Sequence, residues 1–225
     1  MDFLSRTELL VGNDGIKKLN KSNIILFGCG GVGGYVAEML VRSGIGKITI
    51  VDFDKIDVSN INRQVIALHS NIGKYKVDVL KERLLDINPM CDVTALNIRY
   101  QKQCKILNND FDFVIDAIDS VKDKVDLICE AHNLNLNIVS AMGAGNRCDI
   151  PEFVVEDIFK TYNDGLAKVV RKKLRENNIN KHTCVFTKSL PQNIEQNTIG
   201  SIAYYPAMCG CVISSYVINK ILKGD

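Results

Sequence analysis

The chain has 225 residues, a formal net charge of +2 and eight cysteines. That length is ample for a buried core in one large domain, and the near-neutral charge excludes a global polycation, so nucleic-acid contact must come from a local patch. No apolar stretch approaches the roughly 20 residues that span a bilayer. Met1 to Leu10 carries Asp2, Arg6 and Glu8 in place of a signal-peptide core, so the chain is expected in the cytoplasm.

Residues 1–22 read as an N-terminal arm and helix, in which Arg6 is either a solvated helix-start residue or a cation reaching a phosphate. Asn23-Ile24-Ile25-Leu26-Phe27 is a short apolar run, the pattern of a strand covered on both faces. Gly28-Cys29-Gly30-Gly31-Val32-Gly33 follows at once. Residues 32–42 then read as a helix with Val32, Val36, Met39 and Leu40 on one side. The G-x-G-x-x-G spacing removes side chains where the strand turns, where backbone approaches a phosphate and where helix packs on strand. The N–H groups and dipole of the helix start then face the anion. A second strand, Lys47 to Val51, ends in Asp52, 19 residues after Gly33, where a carboxylate can accept hydrogen bonds from ribose hydroxyls. This order of elements points to an adenine nucleotide site.

Phe53 to Gln64 is a polar segment rich in residues that hydrogen-bond backbone and phosphate, Arg63 among them. Asn71 to Lys76 opens a helix running to about Ile87 and stopped by Asn88-Pro89. Its core face is Val77, Leu80, Leu84 and Ile87. Lys76 at its start is either an exposed first-turn lysine or, with Arg63, half of a phosphate clamp.

Asp92 to Asn97 reads as a third strand, residues 101–109 as a short helix, and Asp112 to Asp119 as a fourth strand running into the carboxylates Asp116 and Asp119. Ligands in open α/β sheets collect at the carboxyl ends of strands, which brings both carboxylates near the glycine turn. Asp119 is read as a magnesium ligand, with the N-cap of a helix over 120–135 as the alternative. Asn137 to Met142 is a fifth strand, before Gly143-Ala144-Gly145. From Asp149 to Gly200 the β-α alternation is expected to give way to irregular structure. Within it, Leu166 to Glu176 reads as a basic helix with Lys168, Arg171, Lys172, Lys173 and Arg175, either a solvated face or a landing site for a polyanion. Thr183-Cys184-Val185-Phe186 reads as a buried strand, and Pro206 fits the first turn of a C-terminal helix rich in small and apolar residues.

The expected fold is α/β and Rossmann-like: a largely parallel sheet with helices on both faces, an irregular crossover region and a C-terminal helix. One domain spans 1–225, with a nucleotide-binding half at 1–148 and a crossover and substrate half at 149–225. The cysteines are scattered with no C-x-x-C pair, so no structural zinc is expected.

Gly28-x-Gly30-x-x-Gly33, Asp52-x-Asp54, Asn60-x-x-Arg63-Gln64, Lys76 and Asp116-x-x-Asp119 together resemble the adenylating enzymes that include ThiF, MoeB, HesA and the ubiquitin-activating enzymes, over roughly residues 20–142. Arg6 to Gly12, Gly143 to Gly145, Leu166 to Leu174 and Gly200 to Pro206 extend the resemblance, within that superfamily, to the tRNA threonylcarbamoyladenosine dehydratases. The resemblance implies ATP-dependent cyclisation of N6-threonylcarbamoyladenosine in tRNA through an acyl-adenylate. It implies that Gly30 and Gly31 bring backbone amides to the phosphates, with Gly28 and Gly33 shaping the turn. Asp52 and Asp54 contact the nucleotide, Asn60 and Arg63 orient the triphosphate, Lys76 neutralises charge developing on the α-phosphate and Asp119 carries Mg2+. Arg63, Lys76 and Asp119 are the implied catalytic groups. No protein nucleophile is required, because adenylation needs positioning and charge neutralisation at phosphorus.

Arg6 adds further charge in cis or from a partner subunit; the wider family often carries another Arg three residues earlier, where this chain has Phe3. Lys168, Arg171, Lys172 and Lys173 are the tRNA-contact candidates. The resemblance further implies a homodimer, with residues 149–225 contributing to it, and leaves open a monovalent cation and a sulfur-transfer or desulfurase-type protein partner. A sulfur-carrier adenylating enzyme is the first alternative, weakened because ThiF and MoeB relatives hold zinc on paired C-x-x-C motifs. A non-catalytic nucleotide-binding Rossmann module is the second, and Arg63, Lys76 and Asp119 stand against it. Cys184 is the one thioester candidate between residues 149 and 208, and its place in a strand read as buried stands against that role.

Overall fold

The computed structural model describes residues 3–192 and 199–224; Met1 and Asp2 of the charged N-terminal stretch lie outside them. Seven strands form one sheet in the order β3-β2-β1-β4-β5-β7-β6. The expected strands are present: β1 (Asn23–Phe27), β2 (Lys47–Val51), β3 (Asp92–Leu96), β4 (Phe113–Asp116) and β5 (Ile138–Ala141). All of these pair in parallel.

Their side chains explain why both faces are covered. In β1, Ile24 and Leu26 join one buried cluster and Ile25 and Phe27 the other. On the first face pack helices α1 (Ser5–Lys21), α2 (Gly33–Arg42), α3 (Lys76–Ile87) and α6 (Tyr204–Lys223); on the second pack α4 (Val121–Asn133) and α5 (Gly165–Glu176). Period-2 alternation inside an all-apolar run thus feeds two cores. α1 is broken at Gly12, whose φ of 72° leaves the helical region.

Two expectations need correction. Residues 149–200 are more regular than expected: β6 (Phe153–Asp157), α5 and β7 (Thr183–Thr187) lie within them. β7 enters between β5 and β6, parallel to β5 and antiparallel to β6, so β6 closes the sheet as an edge. An edge strand of half-buried residues, Phe153 to Asp157, lacks the long apolar run that marks the central strands. Residues 101–109 hold only one 3-10 turn, Lys102–Cys104, which ends where Lys105 takes a φ of 48°.

The small-residue face of α6 packs within the chain. Cys209, Ile213 and Val217 are fully buried, and a Cβ on Gly210 would lie 2.8 Å from the Val32 carbonyl oxygen at the start of α2. The glycine lets two helices approach backbone to backbone. Among the described residues, no helix is long and apolar enough to cross a membrane.

Candidate functional site

Parallel pairing brings the carboxyl ends of β1, β2 and β4 side by side. Gly28 N–H donates to Val51 O and Ala117 N–H to Phe27 O, each at 2.8 Å. The chain leaves each strand there, and the exits line a cleft of about 620 Å³. At its floor the glycine turn is tightly specified. A Cβ on Gly33 would sit 1.7 Å from the Gly28 carbonyl oxygen, so helix start and strand end touch only because no side chain intervenes.

Asp52 is nearly buried, and two backbone amides hold its carboxylate: Cys29 N–H at 2.6 Å and Asp54 N–H at 2.8 Å. It therefore ties the glycine turn to the end of β2 while lining the cleft.

Lys76 reaches the cleft because the polar segment doubles back on itself. Ile56 N–H donates to Lys74 O, Gly73 N–H to Ile56 O, and Lys76 N–H to Asp54 O. The Lys76 ammonium then lies 2.7 Å from Asp54 Oδ2, with its side chain only 7% exposed. The exposed first-turn reading of Lys76 is thereby excluded. Asp54 lines the same cleft and is the counter-ion of Lys76.

Asn60 differs from expectation. It is not among the lining residues; its Oδ1 accepts from Asp57 N–H, and its carbonyl accepts from the N–H groups of Arg63 and Gln64. Asn60 closes a turn that presents Arg63 to the cleft. Arg63 lines the cleft and is braced through Nη1 by Ser59 O at 2.8 Å and Asn62 Oδ1 at 2.9 Å.

The two carboxylates of Asp116-x-x-Asp119 have separate fates. Asp116 and Lys124 are both fully buried and 2.7 Å apart, so Asp116 is unavailable to a ligand. Lys124 also donates to Ala141 O, and Ile118 N–H donates to Asp116 Oδ1, which fixes the loop carrying Asp119. Asp119 is exposed in the cleft wall. The N-cap of α4 is Ser120, whose hydroxyl accepts from Asp123 N–H, so the capping alternative for Asp119 falls. Among the described residues, no group of three or more His, Cys, Asp or Glu side chains is placed to hold a metal alone. A hard cation at Asp119 would draw its other ligands from phosphate and water, the common arrangement for Mg2+.

Arg6 is not brought to this cleft within the chain. It is exposed in the first turn of α1, and the neighbouring Leu4 packs against Gly44, beyond the far end of α2. The ten residues of α2 put that end about 15 Å from the glycine turn. Cys184 is fully buried in β7 and burial pushes its thiol well up, which removes it as a nucleophile.

On α5, Lys168 and Lys172 are exposed and Lys173 pairs with Glu176 at 3.5 Å. Arg171 is not free for a ligand: its Nη1 donates to Ile158 O, Thr161 O and Thr161 Oγ1. Asp164 caps α5 through Ala167 N–H and accepts from Gly143 N–H at 2.8 Å, so this helix is anchored to the cleft wall.

Four residues at the site escaped the sequence reading. Arg147, 6% exposed, donates to the carbonyls of Gly143, Gly145, Asn163 and Ser189 and pins the Gly143–Gly145 loop. Gln64 is buried against the cleft and its Oε1 has no partner among the described residues. Its place beside Arg63 in the motif was a signal with no role attached. Arg99 and Asp123 line the cleft as an ion pair.

The profile of the ThiF family matches residues 4–225. The chain belongs to the ThiF family. It is 37% identical to the tRNA threonylcarbamoyladenosine dehydratase of Bacillus subtilis, over 97% of this chain and 94% of that protein. Against the Haemophilus influenzae enzyme of the same name identity is 36%, over 93% and 89% of the two chains. The fold superposes on the crystal structure of the E. coli dehydratase, TcdA, in complex with AMP at a TM-score of 0.93 and 32% identity, covering 97% of this chain and 93% of the other. The ATP complex of the same enzyme gives 0.91 and 33%, over 98% and 94%.

Proposed function

We propose that this protein is an ATP-dependent tRNA threonylcarbamoyladenosine dehydratase. The observation that carries the reading is the near-full-length match to dehydratases, one of them solved with ATP and with AMP, over a cleft where the glycine turn, Asp52, Arg63, Lys76 and Asp119 converge.

The chemistry then follows. The carboxylate of the threonyl group attacks the α-phosphate of ATP, pyrophosphate leaves, and an acyl-adenylate forms. The substrate's own carbamoyl group attacks the activated carbonyl; one carboxylate oxygen departs with AMP and a carbamoyl proton is released, so the nucleoside loses one water overall. The amides of the glycine turn cradle phosphate at the start of α2. Asp52 accepts from ribose hydroxyls. Arg63 orients the phosphates, and Lys76, held by Asp54, faces the charge building at the α-phosphorus. Asp119 would hold Mg2+, which neutralises charge shared between phosphate oxygens.

In a homodimer, the exposed Arg6 of one protomer, which does not line its own cleft, would add its charge to the partner's. Action on tRNA accords with a cytoplasmic protein. A monovalent cation and a sulfur-transfer partner rest on no residue described above.

The test is incubation of the purified chain with ATP, Mg2+ and tRNA bearing the threonylcarbamoyl nucleoside, followed by mass spectrometry of the nucleosides. Loss of one water with AMP formation is the expected result. ATP binding with an unchanged nucleoside would retain the adenylating fold and overturn the substrate.

For the tRNA surface, reversing the charge of Lys168, Lys172 and Lys173 to Glu is expected to weaken tRNA binding and to flatten its dependence on salt. Unchanged affinity and salt slope would make the patch a bystander. Arg171 is left out of that block because its bonds are structural.

A further inference from the structure

We propose that Ala144 N–H, aimed by the buried Arg147, is a catalytic donor to the carbonyl oxygen of the acyl-adenylate while the ring closes. This rests on the dehydratase reading above and concerns its second step.

Gly143, Ala144 and Gly145 follow β5 and line the cleft, whereas Arg147 is buried and does not line it. Arg147 spends its guanidinium on four backbone carbonyls. Nη1 donates to Gly143 O at 3.2 Å and Gly145 O at 3.1 Å, Nη2 to Asn163 O at 2.7 Å, and Nε to Ser189 O at 3.0 Å. Two further ties hold the same loop. Gly143 N–H donates to Asp164 Oδ2 at 2.8 Å. Asn146 N–H donates to Gly200 O at 2.8 Å, and Gly200 N–H returns a bond to Asn146 Oδ1 at 2.6 Å. This backbone is therefore set before any ligand arrives.

The pairing leaves an amide on the cleft side. The Gly143–Ala144 peptide is trans, and in a trans peptide the N–H points opposite to the preceding carbonyl. Gly143 O faces the guanidinium, so Ala144 N–H faces away from it, on the side where Ala144 lines the cleft. Ala144 N–H makes no hydrogen bond with the described residues. A fixed and unpaired amide donor suits an acceptor that a ligand brings.

Position selects the acceptor. β5 lies two strands from β1 in the sheet, about 10 Å away at the usual strand spacing. An acyl phosphate spans that gap with a hydrogen bond at each end, one from the glycine turn to phosphate and one to the carbonyl oxygen. In the first step this oxygen belongs to a carboxylate that is losing charge, so a donor there adds little to the rate. In the second step the substrate's carbamoyl group bonds to the carbonyl carbon, and the C=O pair moves onto the oxygen. The pair returns as the bond to AMP breaks, and the carbamoyl proton leaves to water. A preorganised donor acts most strongly while that oxygen carries the charge.

Single-turnover reactions of the full chain with ATP, Mg2+ and the modified tRNA separate the two steps. Pyrophosphate release reads adenylation, cyclised nucleoside reads ring closure, and an acid quench catches the acyl-adenylate between them. Replacing Ala144 by its α-hydroxy acid turns the N–H into an ester oxygen and leaves Arg147 in place. Ring closure is expected to slow about 100-fold, with adenylate accumulating, while pyrophosphate release stays within about threefold of wild type. Arg147→Met releases the peptide from its brace and is expected to slow ring closure about tenfold. Arg147→Lys, which keeps the charge without the fork, should fall between. A role confined to folding would lower both steps together through the active fraction and leave their ratio unmoved. A ratio of the two rates within about threefold of wild type in the ester variant, or in Arg147→Met, overturns the assignment. If the wild type cyclises the nucleoside and that ratio holds, this assignment alone falls. A wild type that releases no pyrophosphate and cyclises nothing overturns the dehydratase reading, and this assignment with it.

Discussion

Lys76→Ala is expected to lower the rate of adenylate formation by about 10²–10³-fold, the scale of removing one preorganised charge-stabilising donor, while the fold survives. The two effects separate because the partners of this ion pair are buried unequally. The Lys76 side chain is 7% exposed and that of Asp54 is 49% exposed. Removing the lysine leaves a carboxylate that water reaches, so the stability cost is that of a surface pair, at most about 1 kcal/mol. The rate cost is larger because a desolvated ammonium interacts with charge at phosphorus far more strongly than a hydrated one. Single-turnover AMP formation beside a thermal melt is the deciding pair of measurements. A rate within about threefold of wild type would remove Lys76 from the chemistry. Asp119→Ala is expected to act on the same step with a comparable loss, and to shift the Mg2+ dependence. Asp119 is exposed and makes no hydrogen bond or ion pair with the described residues, so its removal should leave the melt unchanged.

The largest stability effect should come from a residue that touches no ligand. Lys124→Ala is expected to destabilise the protein by about 3–5 kcal/mol, because it strands a buried charge. The pair is 2.7 Å apart with both side chains 0% exposed, and the ammonium also donates to Ala141 O at 3.0 Å. Without it, Asp116 retains one described donor, Ile118 N–H. Urea unfolding reads the loss directly. The double variant Lys124→Met with Asp116→Leu should recover much of it, since no uncompensated charge then remains. A single-variant loss below about 1 kcal/mol would mean that water reaches Asp116 and that the pair is dispensable. The loop bearing Asp119 and the end of β5 share this tie, so the same variant should also slow turnover of the fraction that folds.

Much of the nucleotide half was legible because its signals are local. Strand β1 ends where the apolar run ends, the glycines fall at the spacing a phosphate-binding turn needs, and Asn88-Pro89 stops α3. Asn60 was legible as a motif member, while its place in the turn was not. Its carboxamide oxygen accepts from Asp57 N–H, while its main-chain carbonyl closes the turn that delivers Arg63. The buried pairing of Asp116 was not legible in the sequence. Its partner lies one helical turn into α4, and nothing in spacing alone distinguishes a buried lysine from a solvated one.

The sequence by itself determined the order of strand, glycine turn, helix and acidic strand end, because those patterns depend on periodicity and on the steric demands of single residues. It also pointed to the kind of chemistry, since Arg63, Lys76 and Asp119 are residue types suited to handling phosphates. Only the tertiary structure decided which polar groups are spent internally and which face the cleft. It slotted β7 between β5 and β6, packed Leu4 against Gly44, tied Arg171 to carbonyls and joined Arg99 to Asp123 in the cleft wall. These are contacts between segments far apart in the chain. Their energies depend on burial and geometry, which have no local signature in the sequence.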